Sequence, residues 1–216
     1  SRVHAHLKLL SDLCDETLHS LWQKANMPGT TCLLAVGGYG RQALFPYSDV
    51  DVLVLLPDGT SAEADEVLKN KIETFIGSCW DTGLEIGSSV RNLTDCVNEA
   101  AADITVQTAM LESRFLIGNR RLLQSFSDSF NARLEAKAFF TGKTLEMQQR
   151  HNKFENSPYS LEPNCKESPG GLRDLQMLLW LAKASGLGSS WKDLHARGMV
   201  TALELRQLLR NESLLS

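Results

Sequence analysis

The chain has 216 residues, of which 43% are hydrophobic and 22% charged, and its formal net charge is −4. This length and composition fit a soluble globular protein with one large domain or two small ones. The negative charge argues against a nucleic-acid partner, because surfaces that bind nucleic acid carry excess Lys and Arg. No membrane association is expected either, since no run approaches the roughly 18 apolar residues of a membrane span.

The cysteine pattern and the N-terminus favour the cytoplasm. Five cysteines are widely spaced without a CxxC pair, which indicates neither a zinc site nor a disulfide framework. The opening residues, SRVHAHLKLL, do not have the form of a signal peptide. We therefore expect a cytoplasmic protein in a reducing environment.

The first predicted elements are a helix and two strands. Leucines fall on one helical stripe over residues 6–26, which predicts a covering helix. Two apolar, β-rich runs follow, Thr31 to Val36 and Val50 to Leu56, with a polar, glycine-rich turn between them. This part of the chain is predicted to form a strand, a turn and a strand.

Two aspartates mark the start of the second strand. Residues two apart on a strand point to the same face, so Asp49 and Asp51 place two carboxylates side by side. Adjacent anions repel one another and are stable together when divalent cations lie between them. Hard oxygen ligands suit Mg²⁺ shared with substrate phosphates, which predicts a two-metal Mg²⁺ site.

The turn before this strand carries groups suited to phosphate. We expect Gly37, Gly38 and Gly40 to let backbone N–H groups approach a phosphate closely. Arg41 and Ser48 add donors for its oxygens. Nucleotidyl transfer needs this pairing of phosphate donors with metal ligands. A bare Asp-x-Asp is more often an ordinary acidic strand start, but the glycines ahead of it favour the functional interpretation.

A helix and a third strand are predicted next. The helix runs to about Asp81, with Thr60 and Glu63 as a capping box at its start. Residues 84–91 then have the pattern of a strand. Strand, helix and strand in this order would cover one face of a mixed sheet.

Glu85 lies at the start of this third strand. If the strand lies beside the one that carries Asp49, Glu85 brings a third catalytic carboxylate to the metals. A solvent-facing Glu near a strand start is nearly as common an explanation. Asp103 is the competing candidate, although its position is typical of a helix N-cap.

From about Leu93 the pattern turns helical, and no further strand is predicted. The expected helices cover residues 94–101, 103–115, 119–130 and 132–154. We therefore predict an α+β protein in two domains. A small mixed-sheet α/β domain with its covering helix occupies residues 1–130, and a helical domain occupies residues 131–216.

Prolines keep residues 155–171 of the helical part from forming a regular helix. Lys166 and Arg173 lie near the start of the helix that follows, where a helix N-terminus also favours anions. We expect both cations to face the triphosphate across from Asp49 and Asp51. A rigid surface loop with local salt bridges is the alternative.

The last part of the chain is predicted to contain two helices. A short helix over residues 191–197 is followed by a longer one, for which Thr201 and Glu204 form a capping box. The longer helix reaches Ser216 without a stop signal. We therefore expect the chain to be truncated at its C-terminus relative to a larger protein.

Two stretches resemble the bacterial PII uridylyltransferase family. GGYGRQALFPYSDVDVLVL looks like the family's nucleotidyltransferase core, and YSLEPNCKESPGGLRDLQ resembles its second signature. LEIGSSVRNL and DITVQTAMLESRFLIGN, between them, are also similar to the family. The sequence departs from the family pattern at Gln42 and Ala43, where Gly-Glu is expected, and at Ser88, where His is expected.

The resemblance implies a polymerase β-like fold and the transfer of UMP from UTP to a tyrosine hydroxyl of the PII nitrogen regulatory protein. It also implies hydrolase and ligand-sensing domains in the full-length protein. No His-Asp dipeptide occurs in this sequence, so removal of UMP is not expected from it. The related glutamine synthetase adenylyltransferase, which shares the Gly-Gly and Asp-x-Asp core, is a second hypothesis. A non-catalytic nucleotide-binding module of the same fold is a third.

Overall fold

The structure is a computed structural model that describes residues 2–45, 48–153 and 164–215. The chain divides into two compact units, Arg2–Arg133 and Leu134–Ser216. No helix within the described ranges is long and apolar enough to cross a membrane.

The first unit contains helices and strands in alternation. In chain order these are α1 (Arg2–Lys24), β1 (Cys32–Ala35), α2 (Gly37–Gly40), β2 (Val50–Leu56), α3 (Glu66–Asp81), β3 (Ile86–Asn92), α4 (Leu93–Ala102), α5 (Ile104–Leu111), β4 (Arg114–Gly118) and α6 (Arg120–Arg133).

The strands form one mixed sheet in the order β3-β2-β1-β4. β1 is antiparallel to both β2 and β4, whereas β2 and β3 are parallel. Parallel neighbours need a crossover connection, and α3 supplies it between β2 and β3. The predicted strand, turn and strand, and the helix and strand after them, are confirmed.

Helices cover both faces of the sheet. On one face, Trp22 of α1 and Phe75 of α3 pack edge to face with ring centroids 5.3 Å apart. The cluster around them includes alternate residues of β2, namely Val50, Val52, Val54 and Leu56. On the other face Leu53 and Leu55 are fully buried, and α6 packs against β2. A strand buried on both faces is apolar along its length, which leaves Asp51 as the exception in β2.

Strand β4 corrects the prediction that no strand follows Leu93. The segment expected as a single helix over residues 103–115 divides into α5 and the start of β4. Periodicity alone does not separate a short apolar run such as RFLIG from a buried helix segment. Pairing decides the outcome here, because β4 covers the edge of β1 that β2 leaves open.

The start of α3 also differs from the prediction. Asp65, and not Thr60, caps the helix, because its Oδ1 accepts from the N–H groups of Val67 and Leu68, each at 3.0 Å. Thr60 instead donates its N–H to the carbonyl of Pro57. Asp binds the first free N–H groups of a helix at least as well as Thr, so the helix begins where Asp65 provides this contact.

The second unit is helical throughout its described residues. Its helices are α7 (Ala136–Lys153), α8 (Leu172–Ala184), α9 (Trp191–Ala196) and α10 (Ala202–Leu215). The predicted capping box is confirmed, since Glu204 N–H donates to Thr201 Oγ1 and Thr201 N–H donates to Glu204 Oε2. Residues 155–163 of the predicted proline-rich segment lie outside the described residues.

A mixed four-stranded sheet with helices on both faces, followed by a helical unit, confirms the predicted α+β class. The two units meet in sequence between residues 133 and 134. The limits 1–130 and 131–216 remain predictions as domain boundaries.

Candidate functional site

The two predicted metal ligands lie at the N-terminal end of β2. Asp49 immediately precedes the strand and is exposed, whereas Asp51 is its second residue and is half-buried. Their alternation with Val50 directs both carboxylates to the same face of the sheet, while Val50 packs into the core on the other face. The arrangement that the sequence predicted for these three residues is therefore present.

The surroundings of Asp51 favour a cation. Burial, and in second place the charge of Asp49, raises the pKa of the Asp51 carboxyl above its usual value. Within the described part of the chain, neither Asp49 nor Asp51 pairs its carboxylate with a basic side chain. Such a pair of carboxylates at the end of a buried strand is a donor set that fits Mg²⁺.

Two glycines flank the Asp51 carboxylate. Gly87 on β3 is the register partner of Asp51, and a Cβ at position 87 would overlap Asp51 Oδ1. A Cβ on Gly37 would lie 3.5 Å from Asp51 Oδ2. The Val36 N–H donates to the Asp51 carbonyl at 3.0 Å, which joins the glycine turn to the strand. Gly87 was not predicted from the sequence, because a glycine in a strand gives no sign of the carboxylate beside it.

The third carboxylate stays a prediction. Glu85 is exposed. Val50 and Ile86 are register partners, so the residues before them, Asp49 and Glu85, are aligned on the same face of the sheet. Among the described residues, however, no three His, Cys, Asp or Glu side chains are grouped closely enough to hold a metal. Asp103 is the N-cap of α5, as its context indicated, with its side chain accepting from Thr105 and Val106 N–H groups.

The glycine turn contains a one-turn helix, α2. Gly37 has φ +57, a left-handed conformation that glycine adopts without a steric penalty. The N–H groups of Gly37 and Gly38 lie at the start of this helix, where no intrahelical acceptor is available. Gly40 differs from them, because its N–H donates to the Val36 carbonyl at 3.0 Å. The structure gives Gly40 a packing role, since a Cβ there would overlap the carbonyl oxygen of Glu112.

Arg41 follows the turn and forms an ion pair with Glu112. Its Nη1 lies 2.5 Å from both carboxylate oxygens. The Glu112 side chain is 5% exposed and that of Arg41 27% exposed. Glu112 is a residue that the sequence analysis missed, because 71 positions separate it from Arg41 and no local motif links them.

A buried network supports the turn from the side of α1. The Tyr39 hydroxyl donates to Asp15 Oδ1, and Arg114 of β4 donates to both oxygens of Asp15. The Arg114 guanidinium also lies 5.3 Å from the centre of the Tyr39 ring. Burial, together with the hydrogen bond to Asp15, raises the pKa of Tyr39. Three elements, α1, α2 and β4, are thus held together beneath the glycines.

The residues that depart from the family pattern lie in the glycine turn and on β3. Gln42 has φ +58, a backbone conformation that the expected Gly would adopt without a steric penalty. The side-chain amide of Gln42 donates to Asp12 at 3.4 Å. Ser88 pairs with Val52 in the sheet register and therefore lies on the face opposite to Asp51. Ser88 is therefore not directed at the carboxylates. Ala43 donates its N–H to the Gly38 carbonyl and thereby closes the turn.

Ser48, the remaining predicted residue of the turn, is exposed, and its N–H donates to the Phe45 carbonyl at 3.0 Å. It lies directly before Asp49. Residues 46–47, which connect it to the turn, are outside the described part of the chain. Its predicted contact with phosphate stays a prediction.

Lys166 and Arg173 belong to the second unit. Lys166 is exposed, whereas Arg173 Nη2 pairs with Glu167 at 3.2 Å and its guanidinium lies 5.7 Å from the Trp180 ring centre. A hydrogen-bonded turn brings them together, because the Arg173 N–H donates to the Lys166 carbonyl at 2.9 Å. The local salt bridge that the alternative hypothesis expected is therefore present, and a role in nucleotide binding stays a prediction.

Asp174, next to Arg173, anchors this turn. Its carboxylate accepts from Arg150 and His151 of α7 and from the N–H of Gly170. Gly170 has φ +79, and a Cβ on Gly171 would lie 2.7 Å from the Cys165 carbonyl oxygen. The two glycines of the second signature are thus required by the backbone of the turn.

Comparisons with known proteins match parts of both units. A family model for a nucleotidyltransferase domain matches residues 20–98, and a model for GlnD PII-uridylyltransferase matches residues 138–216. The chain is 54% identical over 215 residues to a bifunctional uridylyltransferase/uridylyl-removing enzyme of Burkholderia orbicola (strain AU 1054), covering 100% of this chain and 25% of that protein. The protein of the same description from Burkholderia mallei (strain ATCC 23344) is 56% identical over 206 residues, covering 95% and 24% respectively.

The first unit thus contains a nucleotidyltransferase domain. The chain as a whole is similar to one quarter of the bifunctional uridylyltransferase/uridylyl-removing enzymes, which agrees with the resemblance that its two signatures predicted. It spans about a quarter of the length of the curated relatives that it matches.

Proposed function

We propose that the chain carries a metal-dependent uridylyl-transfer site, which moves UMP from UTP to a tyrosine hydroxyl of a PII-type regulatory protein. The observation that supports this most is the position of Asp49 and Asp51 beside the turn that carries Gly37 and Arg41, with no basic side chain of the described residues paired to either carboxylate. The relatives named for uridylyl transfer, and the matched model named for PII, favour these substrates.

The reaction exchanges one phosphorus–oxygen bond for another. The tyrosine oxygen forms a bond to the α-phosphorus of UTP, while the bond from this phosphorus to the oxygen that bridges to the β-phosphorus breaks. Pyrophosphate leaves with the electron pair of that bond, and the hydroxyl proton is released. The chain therefore has to bring the hydroxyl into line with the leaving group and hold the charge of the triphosphate.

Asp49 and Asp51 would hold Mg²⁺, with Glu85 as the proposed third ligand. When bound there, the metal would neutralise phosphate charge and lower the pKa of the attacking hydroxyl. The half-buried position of Asp51 strengthens its interaction with a cation relative to a fully hydrated carboxylate. The glycine at position 87 leaves the space that the carboxylate occupies, since a Cβ there would overlap Asp51 Oδ1.

The residues of the turn would bind the phosphates. The N–H groups of Gly37 and Gly38 lie at the start of a one-turn helix without an intrahelical acceptor, and backbone donors of this kind suit phosphate oxygens. Arg41 and Ser48 would add side-chain donors. A guanidinium paired to phosphate responds to charge and geometry and not to the base, so these residues fix the triphosphate without selecting uracil.

A transfer assay with the full-length protein tests this proposal. The protein is incubated with Mg²⁺, a candidate PII acceptor and either UTP or ATP labelled at the α-phosphate. The proposal is supported if label from UTP appears on an acceptor tyrosine and if the Asp49→Asn variant no longer transfers it. Transfer from ATP to glutamine synthetase would favour the related adenylyltransferase instead, and metal-independent nucleotide binding without transfer would favour a non-catalytic module.

A further inference from the structure

Glu112 is a buried carboxylate outside the two signatures. It follows the last residue of α5, and its N–H donates to the Thr108 carbonyl at the end of that helix. Burying a carboxylate at a helix C-terminus is unfavourable, since the helix dipole is negative there and solvation is lost. The cation that compensates for this cost is Arg41, whose Nη1 contacts both oxygens of the carboxylate.

Glu112 contacts the glycine turn in two ways. Its backbone carbonyl packs so closely on Gly40 that no side chain fits at that position. Its carboxylate binds Arg41, the residue that follows Gly40 in the sequence. The end of α5 therefore fixes the backbone of the turn and the guanidinium that follows it at the same time.

The other end of the Arg41 guanidinium lies over the turn. Its Nη2 is 3.7 Å from the position that a Cβ on Gly38 would occupy. An arginine side chain loses much rotamer freedom when it is ordered, and a fixed planar guanidinium has lost that freedom before a ligand arrives. With Nη1 held by Glu112 and Nη2 near Gly38, the guanidinium lies between a buried anion and the glycine whose N–H is proposed to bind phosphate.

We propose that Glu112 is a positioning residue for the triphosphate: it holds the Arg41 guanidinium against the glycine turn, in the orientation that binds the β- and γ-phosphates. This inference rests on the phosphate-binding role that the proposed function gives to Arg41. Glu112 itself touches no substrate atom in this scheme. Its effect should therefore depend entirely on the presence of Arg41 and of the distal phosphates.

Binding measurements on the full-length protein test the proposal. The dissociation constants of UTP and UMP are measured for the wild type, Glu112→Gln, Arg41→Ala and the double variant. Glu112→Gln keeps the size of the side chain and removes its charge. Glu99→Gln is the control for loss of an arginine–glutamate pair as such, because Glu99 pairs with Arg91 at 2.5 Å through a side chain that is 49% exposed.

We expect Glu112→Gln to weaken UTP binding about tenfold, equal to about 1.4 kcal/mol, and UMP binding by less than about twofold. In the Arg41→Ala background the same change should have no further effect on UTP, since residues that act through one contact are not additive. Glu99→Gln should leave both constants unchanged. Arg41→Lys, which keeps the charge without the planar group, should also weaken UTP binding.

Equal losses for UTP and UMP, or additive losses in the double variant, would show a merely structural role and overturn the proposal. Full UTP affinity in Arg41→Lys would do the same, and this variant replaces a partly exposed side chain, so it tests the idea even if Glu112→Gln fails to fold. If UTP binding depends on Arg41 but not on Glu112, this inference alone falls. If the wild type does not bind UTP, the proposed function falls with it.

Discussion

The Asp51 carboxylate occupies the space that a side chain on Gly87 would need. The two residues are register partners on parallel strands, and Asp51 Oδ1 lies where a Cβ at position 87 would be placed. Gly87→Ala should therefore push the carboxylate out of its position and abolish most nucleotidyl transfer, with a loss of stability of about 1–3 kcal/mol. Transfer rates and denaturant unfolding measure the two effects.

Gly77 provides the matched control for this change. It is exposed in the middle of α3, and a Cβ there would have no atom within 4 Å. Gly77→Ala should stabilise the protein by about 0.5–1 kcal/mol, because Ala restricts the unfolded chain and favours the helix. Normal transfer by Gly87→Ala would show that the position of Asp51 is not critical.

Neutralising either aspartate should separate activity from stability. Asp49→Asn or Asp51→Asn should abolish transfer, because each removes a carboxylate that is proposed to hold the metal. The melting temperature without metal should stay the same or rise slightly, since the repulsion between two adjacent carboxylates is relieved. Calorimetry with and without Mg²⁺ checks this, because Mg²⁺ should raise the melting temperature of the wild type alone.

Gln42→Gly should stabilise the first unit. Gln42 has φ +58, and a residue with a Cβ pays roughly 1–2 kcal/mol in that conformation. The added freedom of glycine in the unfolded chain and the loss of the long hydrogen bond to Asp12 offset part of the gain. We expect a net increase of about 0.5–1 kcal/mol in the free energy of unfolding, measured by denaturation. A decrease would mean that the side chain of Gln42 contributes more than its backbone strain costs.

Lys166 and Arg173 can be tested together for a role in nucleotide binding. Arg173→Ala removes a pair with Glu167 and a contact with Trp180, so it should lower the stability of the second unit slightly. Lys166→Ala changes an exposed side chain and should not affect stability. If both bind the triphosphate, the double variant should weaken UTP binding about tenfold or more in the full-length protein. Unchanged affinity would leave these residues as parts of an ordinary turn.

Three buried thiols predict a loss of stability at alkaline pH. Burial raises the pKa of Cys79 to about 11 and that of Cys32 and Cys96 to about 12, above the ordinary 9.0. The unfolded chain therefore loses these protons first as the pH rises. Their contribution to stability is complete below pH 9 and is lost as the pH rises towards 11–12, by up to about 1.4 kcal/mol per pH unit for each thiol.

Urea denaturation at pH 8, 9 and 10 checks this dependence. The reference is a variant in which all three cysteines are replaced by alanine. Its absolute stability will be lower because cavities are created in the core, so the informative quantity is the slope with pH. A slope equal to that of the wild type would contradict the assignment to these thiols.

Much of the first unit was predictable because its patterns are local. The apolar runs of β1 and β2 and the stripe of α3 follow from residues adjacent in sequence, and so does the placement of Asp49 and Asp51 on one face. What escaped prediction depends on contacts between distant segments. The ion pair of Arg41 with Glu112 crosses 71 positions, and the fit of Gly87 beside Asp51 depends on the sheet register.

The errors at β4 and α3 have the same origin. RFLIG is too short to distinguish a strand from a helix, and its pairing with β1 decides the matter. Thr60 and Glu63 match the capping-box pattern, but Asp65 is the N-cap because two helix N–H groups donate to its side chain. A pattern gives the candidates for such roles, and tertiary structure selects among them.

The late position of β4 in the chain affects how the sheet is completed. During synthesis, β1 and β2 emerge early, but the outer edge of β1 finds its partner only after the ribosome has passed Gly118. Until then, a strand whose four residues are all apolar and buried in the native state exposes unpaired backbone groups to other chains. A fragment ending at residue 98, where the matched nucleotidyltransferase model ends, should therefore aggregate, while one that extends through Arg133 should stay monomeric.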